Sequence, residues 1–95
     1  MTIIKHEIIF NDNGKEHVSC LNSVWDGLIC KQSWFSGLPA SLQSLEELVA
    51  YSVLEGNINH GTIYMTKYGP QWADVFEGED TEIKKTVEII VKRKS

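Results

Sequence analysis

The residue types best suited to chemistry are three histidines, His6, His17 and His60, and two cysteines, Cys20 and Cys30. A zinc site needs four ligands, or three and a water, at recognisable spacing. A three-residue Asp12-Asn13-Gly14 loop would bring His6 beside Cys20 across a hairpin, and the chain offers no third ligand to join them. The expectation is therefore a half-buried histidine beside a small apolar cysteine, with no metal and no other cofactor. A cysteine nucleophile needs a base in contact and an electropositive setting. Cys30 is followed by Lys31, but nothing in the chain order fixes a distance to His60. There is no Gly-x-Ser-x-Gly elbow and no glycine-rich phosphate loop. These absences lead to the expectation that the protein is not an enzyme.

Carboxylates are plentiful in one place. Asp74, Glu77, Glu79, Asp80 and Glu82 occur with no base among them. Acid–base catalysis needs one carboxyl held out of water, whereas Gly78 amid these acids signals a solvated turn. The functional expectation for this loop is complementarity to a basic partner surface. Lys84, Lys85, Lys92, Arg93 and Lys94 then put a basic stretch at the end of a chain whose net charge is −4. Tyr64, Lys67 and Tyr68 would suit base stacking, but an acidic total and a single arginine argue against a nucleic-acid footprint.

Aromatic residues carry the remaining signal. Trp34 and Phe35 are adjacent, in Ser33-Trp34-Phe35-Ser36-Gly37-Leu38-Pro39. Neighbouring side chains point to opposite faces of a strand and about 100° apart on a helix. A chain of 95 residues has little interior, so one ring is expected at the surface or in a subunit contact. Trp and Tyr supply much of the energy at protein interfaces. Trp25 and Trp72 are expected in the core.

The elements that must position these residues are read from periodicity. Residues 3–10 and 15–21 alternate as two strands around Asn11-Asp12-Asn13-Gly14. Of the two possible hairpin loops, Asn13-Gly14 and Asp12-Asn13-Gly14, the longer sets Ile8 beside Val18 and keeps more apolar residues on one face. Residues 23–36 are read as a short, imperfect helix, from Ser23 and Asp26 at a helix start, with a third strand as the alternative. Gly37 and Pro39 end it. Ser41 or Ser44 caps a helix to about Glu55, with a Ser44/Glu47 capping box and the stripe Leu42, Leu45, Leu48, Val49 and Val53. Strands follow at residues 62–68, 72–76 and 82–92.

The expected architecture is α+β, one domain over residues 1–95. About four or five antiparallel strands pack on one main helix in the order β-β-(short α)-α-β-β-β. Two cysteines without a disulfide framework and the lack of a leader or long apolar run suggest a cytoplasmic protein.

Ser33 to Ser41, SWFSGLPAS, resembles a short stretch of the phage-encoded anti-CRISPR proteins that inhibit type I-F systems. As in that family, the stretch leads into a helix. No binding residue is carried over from it.

Together these features predict a small non-enzymatic module that binds a protein partner. The expected role is a phage- or mobile-element-type inhibitor that blocks a host protein or defence complex sterically. The contact residues expected are Trp34 and Phe35 as apolar anchors, with Asp74, Glu77, Glu79 and Asp80 for charge. A toxin-neutralising immunity protein or antitoxin is the first alternative, and a single-stranded nucleic-acid-binding protein the second. A homodimer burying Trp34 and Phe35 would use the same residues.

Overall fold

The computed structural model describes residues 1–78 and 82–94. The described residues form six strands: β1 (Thr2–Asp12), β2 (Lys15–Asp26), β3 (Ile29–Ser36), β4 (His60–Thr66), β5 (Gly69–Trp72) and β6 (Ile83–Lys94). One α-helix, α1 (Glu46–Leu54), lies between β3 and β4. All the strands pair antiparallel, in the order β3-β2-β1-β6-β4-β5. The sheet curls into a half-barrel, with the short helix α1 at its inner face. This corrects the α+β expectation of a four- or five-strand sheet on one main helix: the protein is mostly β.

The largest correction lies at residues 23–36. They form the end of β2 and all of β3, not a short helix. The pairs Leu21–Phe35, Ser23–Ser33 and Trp25–Cys30 join the two strands, with a register shift between Val24 and Trp25. Alternation is lost locally because Leu21, Asn22 and Ser23 are all buried in succession, so β2 is covered on both faces here.

The β1–β2 turn also differs from expectation. Asp12 pairs with Lys15, leaving a two-residue Asn13-Gly14 loop. Both loop residues have positive φ, 54° and 84°, as a type I′ turn requires. Its twist matches that of the flanking strands, and this outweighs gathering every apolar residue on one face. Ile9 instead pairs with Val18 on one side and Ile90 on the other, forming an apolar row on the outer face. His6 now faces Leu21, and Cys20 faces Glu7, so the expected His6–Cys20 neighbourhood does not exist.

The helix is shorter than its apolar stripe suggested. Residues Ala40–Leu45 form a 3-10 segment that begins after Pro39, held by Leu42 N–H donating to the Pro39 carbonyl at 3.0 Å. Three residues per turn bring Leu42 and Leu45 to one side, and both are buried. The α-helix then starts at Glu46 with no side-chain cap, so the Ser44/Glu47 capping box does not form. The left-handed residue after the helix is Asn57, with φ 51°.

Near the far edge, β5 ends at Trp72. Residues Ala73–Val75 are a 3-10 turn, not the expected strand to Phe76. The last strand, predicted over 82–92, runs over Ile83–Lys94.

The core lies between the inner sheet face and the helical segment. Ile8, Phe10, Ile63, Val87 and Ile89 meet Leu42, Leu45, Val49 and Val53, all nearly or fully buried. Trp72 packs against this cluster from its side, and its Nε1 donates to Ser52 Oγ at 2.9 Å, tying β5 to α1. Trp25 is half-buried at the opposite end, outside that cluster. Lys85 pairs with Asp12 at 3.1 Å and joins β6 to the β1–β2 turn.

Candidate functional site

A groove of about 700 Å³ runs between β3 and α1. Its sheet wall is Cys30, Ser33, Trp34 and Phe35, and its helix wall includes Gln43, Glu46, Glu47, Tyr51 and Glu55. Trp34 and Phe35 thus reach the same groove from opposite faces of one strand. Phe35 pairs with buried Leu21 and meets Phe10 edge-on, with ring centroids 6.3 Å apart. It is half-buried and anchors the edge of the sheet to the core. Trp34 pairs with Asn22 and is 39% exposed.

The strand is held from behind by a small polar network. Asn22 is buried and its Nδ2 donates to Ser36 Oγ at 3.0 Å, with longer contacts of 3.4 Å to the Trp34 and Cys20 carbonyls. A buried amide satisfied in this way fixes where the edge strand lies. Ser19 Oγ donates to the Gly37 carbonyl at 3.2 Å and holds the strand's exit.

In the sheet order β3 is terminal. An edge strand presents unpaired N–H and C=O groups along its free side. Most of β3 is exposed. Glu46, Glu47 and Glu55 line the groove, and no Lys or Arg does among the described residues. The arrangement offers an extended backbone template beside an acidic helix wall, with Trp34 and Tyr51 as aromatic surfaces.

The acidic residues expected at the contact lie elsewhere. Asp74 is in the 3-10 turn after β5, and Glu77 follows it, both exposed. They sit beyond the far edge strand, so they do not join Trp34 and Phe35. Glu79 and Asp80 lie outside the described residues. The acids that do accompany the aromatic pair are Glu46, Glu47 and Glu55, which sequence reasoning assigned only to the helix or passed over. A signal was present: Glu47, Tyr51 and Glu55 recur every four residues, a second helix stripe beside the apolar one.

The remaining chemical candidates are dispersed. Among the described residues, no cluster of three or more His, Cys, Asp or Glu side chains could hold a metal. Cys20 and Cys30 are free and half-buried. Tyr64 stacks edge-on against Phe76, with centroids 5.2 Å apart, while Lys67 lies over the Tyr68 ring at 5.1 Å. No helix among the described residues is long and apolar enough to cross a membrane.

Comparison with known proteins yields no match to a family model, a curated protein or a solved structure. The geometry of the groove therefore carries the functional argument.

Proposed function

We propose that this chain is a small non-enzymatic protein-binding module that seats an extended, basic segment of a partner along β3. The added strand takes its main-chain hydrogen bonds from the free edge, the mode known as β-augmentation. Every second side chain of that segment turns toward α1, where Lys or Arg meets Glu46, Glu47 and Glu55. Trp34 covers the other face. The single observation that carries this reading is the coincidence of an eight-residue exposed edge strand with an acid-lined groove beside it.

Charge favours a foreign partner over a second copy. Two copies paired edge to edge would bring two sets of Glu46, Glu47 and Glu55 together, and like charges oppose that contact. An inhibitor of phage or mobile-element type, acting sterically on a host protein or defence complex, fits a module that occupies a partner's basic strand or tail. An immunity protein against a basic nuclease would use the same surface. Phosphate backbones would be repelled by it.

Panning a random peptide library, in segments of about the eight-residue length of β3, tests the proposal. Selected sequences should carry Lys or Arg at alternate positions and lose at least tenfold in affinity for the E46K/E47K double variant. Selected peptides without basic enrichment, or indifferent to the charge reversal, would reject it.

A further inference from the structure

A second cavity, of about 310 Å³, adjoins the β3 groove across Leu54, which lines both. It lies between the start of β1, the β2–β3 turn, the end of β6 and the C-terminal end of α1. Ile4, Val53 and Leu54 give it apolar walls, with Trp25, His6 and Arg93 around them. This is the size range of sites for small organic molecules, which are mostly apolar with a few placed polar groups.

Three details show that the site is built. The Trp25 ring is fixed, because its Nε1 donates to Ser23 Oγ at 2.9 Å and that hydroxyl donates to the Ile4 carbonyl at 3.2 Å. Ser23 is fully buried, so the indole plane is set by an interior group. His6 Nδ1 is buried and has no hydrogen-bond partner among the described residues. Such an atom costs free energy unless something satisfies it. Finally, Arg93 places a cation at the cavity's exposed rim.

We propose that this cavity binds a small planar aromatic carboxylate. Its ring would lie against Trp25 and the Val53–Leu54 wall. Arg93 would hold the carboxylate, a group its planar fork matches in two hydrogen bonds. The His6 ring forms part of the cavity wall beside it. A single cation at the exposed rim of apolar walls suits a monoanion with a flat body better than a phosphate, which calls for more donors. Burial, and then the Arg93 charge, lower the His6 pKa, so the imidazole is neutral near pH 7 and Arg93 provides the charge there.

The proposal is independent of the β3 groove and is tested on the full chain. In an NMR titration, 2-naphthoate should shift the Trp25 indole N–H and the His6 ring signals, saturating below millimolar concentration. The uncharged 2-naphthamide should bind at least tenfold more weakly. R93Q, at an exposed position, should abolish that preference for the acid, and H6L should weaken binding severalfold. W34A, in the other groove, should change nothing. No saturable shift at Trp25 and His6, an equal response to acid and amide, or unchanged preference in folded R93Q would each overturn the proposal. If the cavity holds only solvent, the first of these outcomes appears.

Discussion

The two edges of the sheet are built in opposite ways. β3 is eight residues long and largely exposed, with Trp34 standing at its side. β5 has four residues, contains Pro70, and gives way at once to a 3-10 turn. Short length and proline are common means of blunting an edge. The far edge is also locked to the interior, through Trp72 Nε1 on Ser52 Oγ and through close packing of the Trp72 ring over Gly61. Protection is thus spent on one edge and withheld from the other. An edge left open beside an acidic groove is where a partner strand is expected, and the contrast supports assigning binding to β3 and stability to β5.

The largest effect should come from breaking the closed edge. A Cβ at Gly61 would stand 2.5 Å from Trp72 Cζ3, so Gly61→Val must displace the ring. We expect a loss of about 2 kcal/mol by urea denaturation, as for other overpacked sites. A smaller change at the same place, Ser52→Ala, strands the Trp72 N–H and should cost about 1 kcal/mol. Neither substitution should alter peptide capture at β3 while the protein stays folded. If both did, the two edges would not be separable.

The open edge is probed by binding. Trp34→Ala should weaken a selected basic peptide by about tenfold, a typical loss for an interface aromatic, with denaturation nearly unchanged. Phe35→Ala is a poorer test, because Phe35 also packs on Phe10. Hydrogen exchange sharpens the comparison further: bound peptide should slow the β3 amides and leave those of β5 as they were. Equal slowing at both edges would dissolve the distinction.

The smallest expected effect is a pH dependence. The pKa of His6 is lowered in the fold from its ordinary 6.5. Below that value the unfolded chain takes up the proton first, which favours unfolding. The contribution is therefore complete above about pH 6.5 and fades as pH falls through the folded-state pKa. His6→Leu should flatten that part of the stability–pH curve, measured by denaturation in a pH series. An unchanged curve would assign the slope to other groups.

Much of the fold was legible in the sequence wherever burial leaves a periodic trace. β1 and β6 alternate because each buries one face against the helix side. Asn13-Gly14 marks its turn, and Leu42, Leu45, Val49 and Val53 mark the helical region. The pattern fails in two places for opposite reasons. At Leu21, Asn22 and Ser23 both faces are covered, so polar residues are as buried as apolar ones. Along β3 nearly everything is exposed, so no inward period is imposed. A strand of the second kind resembles a loop or a weak helix until its partner strand is known.

The same division holds for the candidate site. By itself the sequence determined the acidic balance, the turn, the local strand and helix preferences, and the oddity of Trp34 beside Phe35, since all of these depend on residues close together in the chain. Only the tertiary structure decided which acids stand with that pair. Glu46, Glu47 and Glu55 line its groove because α1 packs across the inner face beside β3, whereas Asp74 and Glu77 follow β5 to the far edge. The open and closed edges, and the meeting of His6, Trp25 and Arg93, were likewise set by long-range pairing. Such pairing is chosen by the burial and hydrogen bonding of the whole sheet, which no local stretch encodes.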